Sequence, residues 1–385
     1  MAQRSYETHY DTLRRNGISR RDFLKFCTMT AAALGLGPSL APTIAHALET
    51  KPRLPVVWID GLSCTCCTES FIRTAHPLAK DIILNMISMD YNDLLMAASG
   101  EQALEVFEEA IAKHKGNYIL AVQGNAPAGC EGMYCIDGGR PFTRKLMAGA
   151  ANAKAVVAWG NCASWGCIQA ARPNPTDVKT VPDLVHGKPV IRIPGCPPIP
   201  EVMSALVAYI VTFERLPELD SQGRFAAFYG QHVHDQCVRR AHFDAGEFVE
   251  AWDDEGARKG YCLYKMGCKG PTTFNACPNT RWNDGTSYPI ESGHPCLGCA
   301  EQGFWDQGSF YDRIMDIPLL GTMTTAQKIA AGVGGTVAAA VGVHAVCSTA
   351  FHLCRKHREK ECAQTCAQAG SAPAAHTTDG ETEKQ

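Results

Sequence analysis

The sequence predicts an α/β fold built on a doubly wound parallel sheet, and two features carry that prediction. Between residues 48 and 224, short apolar runs alternate with segments whose apolar residues have helical spacing. Such alternation is typical of parallel sheets in which a crossover helix follows each strand. After residue 225 the alternation stops, and turns, aromatics and cysteines crowd together. That change predicts a second region with little regular structure.

Five apolar runs are the predicted strands, and four segments between them are the predicted helices. The strands are Val56–Asp60, Ile82–Ser88, Tyr118–Gln123, Ala155–Trp159 and Val190–Ile193. The helices are Ser70–His76, Gly100–His114, Arg140–Ala148 and Pro200–Phe213. Ligands of open parallel sheets bind beyond the carboxyl ends of the strands. Residues that directly follow these runs are therefore the first candidates for a functional site.

The first 47 residues resemble a twin-arginine export signal. Arg20 and Arg21 precede the apolar stretch 26–40, and Ala45-His46-Ala47 supplies small residues for cleavage. Signals of this kind export proteins that are already folded. We therefore expect a protein that receives a metal cofactor in the cytoplasm before it crosses the membrane.

Cysteine is the most informative residue type in the composition. The chain has 19 cysteines in 385 residues, a length that allows two domains with substantial cores. The cysteines therefore predict either a disulfide framework or metal clusters. The formal net charge of −3 offers no basic surface for nucleic acid, which argues against that class of partner.

Six cysteines lie just beyond three different predicted strands. They are Cys64, Cys66 and Cys67 after the first strand, Cys162 and Cys167 after the fourth, and Cys196 after the fifth. A disulfide between the adjacent Cys66 and Cys67 would have poor geometry. The carboxyl ends of parallel strands meet at one edge of the sheet, so the six thiols are expected to converge there as ligands of a soft metal centre.

The irregular region carries a second set of potential metal ligands. They are His234, Cys237, Cys262, Cys268, Cys277, Cys296 and Cys299. Zinc, disulfides and iron–sulfur clusters are the three interpretations of such a set. Export in a folded state argues against disulfides, because the thiols are reduced during folding. Cysteines followed by proline favour iron–sulfur clusters over zinc.

Residues 329–353 contain no Asp, Glu, Lys or Arg and predict one transmembrane helix. As a helix they span about 37 Å, enough to cross a bilayer with some tilt. A basic cluster begins at Arg355, and the positive-inside rule places the tail, residues 354–385, in the cytoplasm. His344 lies inside the segment, where two interpretations remain open: a haem iron ligand, or a hydrogen bond to a neighbouring helix.

Taken together, these residues resemble the small subunit of a nickel–iron hydrogenase from the export signal to the membrane helix. The resemblance rests on Cys-Thr-Cys-Cys-Thr-Glu-Ser-Phe from residue 64, Pro-Gly-Cys-Pro-Pro around Cys196, and Gly-Tyr-Cys-Leu-Tyr-Lys-Met-Gly-Cys-Lys-Gly-Pro from residue 260. It implies a flavodoxin-like domain over residues 48–224 and an iron–sulfur domain over residues 225–320. It also implies that electrons move away from a nickel–iron centre in a large partner subunit.

The resemblance assigns each candidate ligand to one of three clusters. The proximal group, which would hold a 4Fe–3S cluster, is Cys64, Cys66, Cys67, Cys162, Cys167 and Cys196. The distal group, for a 4Fe–4S cluster, is His234, Cys237, Cys262 and Cys268, and the medial group, for a 3Fe–4S cluster, is Cys277, Cys296 and Cys299. Family members with the extra cysteines at positions 66 and 167 are membrane-bound and oxygen-tolerant.

The resemblance also implies where the electrons go. His344 would ligate haem b at the contact with a di-haem cytochrome b, which passes electrons to the quinone pool. The complex would sit at the periplasmic side of the inner membrane as a dimer of heterodimers. Two other functions stay open: an iron–sulfur subunit of a related quinone reductase, and a membrane-anchored binding protein stabilised by zinc or disulfides.

Three departures from the family pattern lie in the first domain. Oxygen-tolerant members usually carry Glu at the position of Gln123, and an amide is a weaker ligand for iron. The usual His-Gly-Leu-Glu before the first cysteine is Asp60-Gly61-Leu62-Ser63 in this chain, which alters the charge beside the cluster. Cys130 is an addition near Cys135, and we expect two unlinked thiols there.

Overall fold

A computed structural model of the chain describes residues 8–15, 17, 19–33, 37–75, 77–314 and 326–369. It divides into two compact units, residues 1–315 and residues 316–385. The first unit contains the sheet and the cysteine-rich region, and the second contains one long helix.

The first unit is organised around a five-stranded sheet in which every pair of neighbouring strands is parallel. Its strands are β1 (Leu54–Asp60), β2 (Ile87–Asn92), β3 (Ile119–Gln123), β4 (Ala155–Trp159) and β5 (Val190–Ile193). Their order in space is β2-β1-β3-β4-β5, which is that of flavodoxin-like doubly wound sheets. The predicted parallel α/β sheet is confirmed, with β4 and β5 at the predicted bounds.

Helices cover both faces of the sheet and bury two separate apolar cores. The helices of this unit that we number are α1 (His9–Arg15), α2 (Arg20–Ala33), α3 (Ala41–Thr50), α4 (Cys66–Ile72), α5 (Gly100–Lys113), α6 (Phe142–Ala151), α7 (Gly160–Trp165) and α8 (Pro200–Phe213). One core includes Trp58 and Trp159, whose rings stack 5.7 Å apart. The other core lies between α5, α6 and the opposite face of the sheet.

The predicted strand Ile82–Ser88 is wrong over most of its length. Residues Ile82–Met86 form a π-helical turn, and β2 begins only at Ile87. Ile82 and Met86 are fully buried while Leu84 between them is 52% exposed. A short buried apolar run has no periodicity that separates a strand from a helix, and burial of residues four positions apart favours the helical turn.

The predicted helix Ser70–His76 begins too late in the chain. The structure starts α4 at Cys66 and ends it at Ile72, so Cys66 and Cys67 form its first turn. The predicted helix Arg140–Ala148 is displaced in the opposite direction, because Pro141 ends a two-residue strand, so α6 begins at Phe142 and runs to Ala151. Helices Gly100–Lys113 and Pro200–Phe213 match their predictions.

Residues 225–314 contain only short helices and turns. The α-helical pieces are Ala226–Tyr229, Arg240–Ala245, Glu255–Lys259 and Cys277–Thr280. A small third core that includes Val249, Leu263 and Tyr288 holds this region together. The predicted boundary at residue 320 lies outside the described residues.

The amino-terminal helices pack onto the sheet unit. Phe23 of α2 and Ile44 of α3 belong to the same core as the sheet residues. The predicted cleavage residues Ala45-His46-Ala47 lie within α3, with Ala45 and Ala47 buried. The structure therefore describes the predicted export signal, over its described residues, as helices packed on the sheet unit.

The second unit consists, in its described part, of helix α9 (Ala326–Ala369). Within α9, the segment Gly335–His357 is long and apolar enough to cross a membrane, by length and composition, and it is not buried within the structure. This segment overlaps most of the predicted span, residues 329–353. Helix α9 extends into the predicted tail as far as Ala369, and residues 370–385 lie outside the described residues.

Candidate metal centres

The proximal group gathers at the carboxyl ends of three parallel strands. Cys66 and Cys67 open α4, which follows β1 after a short loop, while Cys162 lies in α7, which directly follows β4. The remaining members are Cys64, Cys167 and Cys196, and Cys196 follows β5. The sheet order puts β4 between β3 and β5, so the loops converge on one edge, as the sequence predicts.

Electrostatics show that these thiols are close enough to influence one another. Interaction with Cys64, then burial, raises the pKa of Cys66 to about 11. Burial and then the neighbouring Cys162 raise the pKa of Cys67. Interaction with Cys162, and next with Cys196, raises the pKa of Cys167. The same interaction with Cys167 lowers the pKa of Cys162 and lowers that of Cys196 to about 7. Ionisation of neighbouring thiols together is disfavoured unless a cation lies among them.

The Cys67 sulfur packs directly against the backbone of Gly160, where there is no space for a side chain. At Gly160 an added Cβ would lie 2.4 Å from the Cys67 sulfur, and the backbone there has a φ of +75°. Cys167 itself adopts a φ of 53°, a left-handed conformation that is uncommon for a residue with a side chain. Such conformations concentrate at functional sites, where the surrounding structure maintains them.

Gln123 is buried beside the proximal group at the end of β3. Its Oε1 accepts hydrogen bonds from the backbone N–H and the hydroxyl of Thr68, at 2.8 and 2.7 Å. Its Nε2 donates to Asp60 Oδ2 at 3.2 Å and to Ser63 Oγ at 3.1 Å. Burial, the largest effect, raises the pKa of Asp60 to about 6. The sequence singled out Gln123 and Asp60 as separate departures, and the structure brings them into contact.

The distal group includes a buried histidine with an unused nitrogen. Within the described part of the chain, His234 Nε2 is buried and has no hydrogen-bond partner. Burial, followed by the charge of Arg240, lowers the His234 pKa to about 4. A neutral imidazole with a free lone pair is the form that binds metals. This unpaired nitrogen fits a metal ligand and would otherwise carry a desolvation cost of about 1–3 kcal/mol.

The three distal thiols lie close enough to influence one another, and two of them receive hydrogen bonds. The backbone N–H of Gly270 and that of Cys296 donate to the Cys268 sulfur at 3.5 and 3.4 Å. The Cys237 sulfur accepts from the N–H of Arg239 at 3.4 Å. Burial raises the pKa of Cys262 to about 12, and Cys268 and Cys237 add to that effect.

The medial group lines a cavity of about 210 Å³. Cys277, Cys296 and Cys299 face it together with apolar residues that include Trp282 and Ile290. Burial raises the pKa of all three thiols, that of Cys277 to about 12. An apolar cavity that these three thiols line, with no Lys or Arg side chain among the described residues of its wall, suits a bound metal cluster better than it suits three free cysteines.

The three groups adjoin one another in a row. Cys196 of the proximal group also lines the medial cavity, and it lies close enough to Cys299 to influence the pKa of that thiol. At the other side, Cys296 of the medial group contacts Cys268 of the distal group. The order is therefore proximal, medial, distal. Sequence reasoning missed these links because they join residues far apart in the chain.

Single-ion sites are not formed by these side chains. Among the described residues, no group of three or more His, Cys, Asp and Glu side chains is arranged to hold a metal ion. A polynuclear cluster places its ligands on different irons, so it does not need such an arrangement. His344 lies on α9 in the second unit and belongs to none of the three groups. Cys130 and Cys135 are free, and the Cys130 thiol donates to Tyr134 at 3.3 Å.

Two protein families match the first unit, one over the sheet region and the other over the region of short helices and turns. Residues 229–312 match the family described as the C-terminal part of the NiFe/NiFeSe hydrogenase small subunit. Residues 64–210 match the family described as NADH ubiquinone oxidoreductase, 20 Kd subunit. The first matched segment contains the distal and medial groups, and the second contains the proximal group.

Individual relatives match over nearly the whole chain. The Hydrogenase-1 small chain of Escherichia coli K12 is 64% identical over 92% of this chain and 95% of its own length. The uptake hydrogenase small subunit of Azotobacter vinelandii is 61% identical over 91% of this chain and 98% of its own. A crystal structure of the Ni-Fe-Se hydrogenase from Desulfomicrobium baculatum is similar with a TM-score of 0.64 and 34% identity, covering 68% of this chain and all of that chain.

Proposed function

The chain belongs to the small-subunit family of nickel–iron hydrogenases, and from this premise we propose that it conducts electrons from H2 oxidation to the membrane through three iron–sulfur clusters. As a small subunit it is the electron-transfer part of an oxidoreductase and pairs with a large subunit. In the proposal, H2 is split at the nickel–iron centre of that partner. The electrons leave through the proximal, medial and distal groups in turn.

One observation carries this proposal: the three ligand groups adjoin in a single row. Cys196 connects the proximal and medial groups, and the contact between Cys296 and Cys268 connects the medial and distal groups. Electron transfer over one-electron carriers requires that neighbouring carriers lie close together. A zinc- or disulfide-stabilised binding protein has no need for such a row.

The donor sets fit the clusters that the family resemblance assigns to them. Six thiols suit a 4Fe–3S cluster in the proximal group, three thiols around the 210 Å³ cavity suit a 3Fe–4S cluster, and the free His234 nitrogen completes a 4Fe–4S ligand set. When bound, the clusters supply sites that take up and release one electron at a time. The chain supplies thiolates, hydrogen bonds and an apolar surrounding, which together set the potentials.

The two extra proximal cysteines are the basis for oxygen tolerance in this proposal. Cys66 and Cys167 add two thiolate charges, which stabilise oxidised iron and bring a second oxidation within a narrow range of potential. The proximal group is then able to return electrons quickly to the partner's active site when oxygen arrives there. There O2 would take up four electrons, from the partner's centre and the row of clusters, and four protons from water to give two H2O, so that a blocked, oxidised site would not accumulate.

The membrane end of the path rests on the apolar segment of α9. Gly335–His357 has the length of a single transmembrane helix, and the basic residues from Arg355 onward orient it with the carboxyl terminus in the cytoplasm. The twin-arginine signal then places the first unit on the periplasmic side. His344 is the proposed haem b ligand shared with a di-haem cytochrome b, which delivers the electrons to quinone in a dimer of heterodimers.

A quinone-reductase component is the second candidate, favoured by the match of residues 64–210 to the ubiquinone oxidoreductase family. That match covers the proximal group alone. The distal and medial groups lie in residues 229–312, which match the hydrogenase small-subunit family. The second candidate would be expected to lack both of those groups.

Metal analysis of the purified membrane complex tests the proposal. We expect about eleven iron atoms per chain, from two four-iron clusters and one three-iron cluster, and a nickel-containing protein that copurifies. Hydrogen oxidation by the complex should reduce a quinone analogue. Zinc in place of iron, or an iron content near that of one four-iron cluster without nickel, would reject the hydrogenase function.

A further inference from the structure

Every hydrogen-bonding position of the buried Gln123 amide is occupied. Its side chain is 1% exposed, its oxygen accepts two hydrogen bonds from Thr68, and its nitrogen donates one to Asp60 and one to Ser63. An amide oxygen has two lone pairs and an amide nitrogen has two hydrogens. Gln123 therefore has no lone pair left for an iron atom in this arrangement.

Helix α4 has no side-chain cap from the residue before it, and the Gln123 side chain caps it by accepting the N–H of Thr68. The first N–H groups of a helix lack partners within it, and a side chain just before the helix usually supplies one. The residue before α4 is Thr65, which has a left-handed φ of 67° and makes no capping bond with its side chain. Gln123, from a neighbouring strand, accepts from the N–H of the third helical residue instead.

This cap acts directly beside the proximal thiols. Cys66 and Cys67 are the first two residues of α4, and Thr68 is the third. Thr68 is 3% exposed, so its N–H and hydroxyl would be left unsatisfied if Gln123 moved away. The position of these two cysteines over the strand ends therefore depends on Gln123.

Asp60 explains why the capping residue is an amide. Asp60 and Gln123 are register partners at the ends of the adjacent strands β1 and β3. Asp60 Oδ2 accepts from the Gln123 amide, and with a pKa of about 6 its carboxyl is ionised at neutral pH. A carboxylate at position 123 would still cap α4, but it would face the Asp60 carboxylate, and the two like charges would raise the pKa of one of them.

We propose that Gln123 and Asp60 form a matched amide–carboxylate pair that positions Cys66 and Cys67, with Gln123 as a capping residue and not as an iron ligand. The inference rests on the proposed function, since it concerns how the proximal thiols are presented to a cluster. In this pair, the negative charge beside the proximal group belongs to position 60. Both residues are positioning residues, because they act through α4 and the thiols that it carries.

A reciprocal exchange tests the pairing at constant charge. The single variants Q123E and D60N each break the match, the first with two facing carboxylates and the second with two facing amides. The double variant D60N/Q123E again has one amide and one carboxylate. In the double variant the amide at position 60 donates to the carboxylate at position 123, and the Ser63 hydroxyl, which donates to Asp60 Oδ1 in the wild type, turns to donate to position 123 instead.

The readout is redox titration of the purified complex followed by electron paramagnetic resonance. We expect Q123E to change the equilibrium constant for reduction of the proximal cluster at least tenfold, which is about 59 mV for one electron. In the double variant the same equilibrium constant should lie within about threefold of the wild-type value, which corresponds to a potential difference of about 30 mV or less. The medial-cluster signal of the same samples serves as the control for folding and should not change.

Two results would overturn the pairing. One is a Q123E complex whose proximal potential equals that of the wild type. The other is a double variant that retains the full Q123E shift, since then the charge at position 123 acts alone. A wild-type complex without iron–sulfur signals would instead reject the proposed function, so the two failures are distinguishable.

Discussion

The backbone N–H of Cys296 donates a hydrogen bond of 3.4 Å to the sulfur of Cys268. The two residues belong to different ligand groups, so one peptide unit serves the medial and distal groups at once. Donors to sulfur stabilise the more negative, reduced form of a cluster and so raise its reduction potential. The Cys268 sulfur also receives the N–H of Gly270. The Cys268 sulfur therefore accepts hydrogen bonds from two backbone N–H groups, an arrangement that suits a cluster ligand.

His234 should be required for the distal cluster alone. In H234A we expect loss of the distal signal, retention of the medial and proximal signals, and at least a tenfold fall in H2-dependent quinone reduction. The reason is that Ala removes the only neutral nitrogen ligand proposed for that group. Cluster-resolved electron paramagnetic resonance and quinone-coupled activity measure the two effects.

The neighbouring His232 gives a matched control for that variant. Its ring contacts Asp235 at 3.3 Å and packs 4.0 Å from the Phe274 ring, and it is assigned to no ligand group. H232A should leave all three cluster signals intact. Equal loss of the distal signal in H232A and H234A would show that local packing, and not ligation, is responsible.

Cys66 and Cys167 should be needed for H2 oxidation in the presence of oxygen but not under anaerobic conditions. The double variant C66G/C167G should oxidise H2 anaerobically at a rate within about twofold of the wild type. Its sustained activity in air should fall at least tenfold, because four thiolates remain and the second oxidation of the proximal cluster is lost. Steady-state H2 oxidation on an electrode, with and without oxygen, measures both rates.

Cys130 supplies the control for substitution by glycine. Like Cys167, it has a left-handed backbone, with φ values of 49° and 53° respectively, so glycine relieves strain of about 1–2 kcal/mol at either site. Cys130 is exposed and outside the proximal group. C130G should therefore remain active in oxygen, and equal oxygen tolerance of C66G/C167G would refute the role of the extra thiolates.

The sequence predicts the sheet and the ligand loops because both depend on local patterns. Ala155–Trp159 is a bounded apolar run and therefore a reliable strand, and each proximal cysteine motif follows such a run. The strand prediction failed over Ile82–Met86 because all five side chains but Asn85 are apolar, and the sequence does not show that Ile82 and Met86 are buried while Leu84 is exposed. The contact between Gln123 and Asp60 depends on the register of two strands, and that between Cys296 and Cys268 on packing between separate loops. No local pattern in the chain contains them.

His344 should affect only the last step of electron transfer. In H344A, H2-dependent reduction of a soluble dye should persist, while reduction of quinone in membranes should fall at least tenfold. Loss of one haem b absorption component of the complex would report the ligand directly. His352 lies eight residues further along α9 near the basic end of the apolar segment, so H352A is the matched control and should keep both activities.

Gly160 tests the geometry of the proximal group through a change that adds one methyl group. In G160A the new Cβ would lie 2.4 Å from the Cys67 sulfur, closer than any real contact. The sulfur is the mobile end of a side chain, so Cys67 is able to rotate away and the fold should survive. The rotated thiol no longer faces the group, and we expect the proximal signal to disappear with its share of about four irons.

Gly187 separates this clash from the strain of the backbone itself. Its φ of +73° is nearly the same as the +75° of Gly160, but an added Cβ there meets nothing within 4 Å. Both alanine variants should lose about 1–2 kcal/mol of stability from the left-handed conformation, which thermal unfolding measures. Only G160A should lose proximal iron. Two outcomes would contradict this prediction: a wild-type proximal signal in G160A, or loss of that signal in G187A as well. Either would show that close packing around the Cys67 sulfur does not hold the proximal ligands in place.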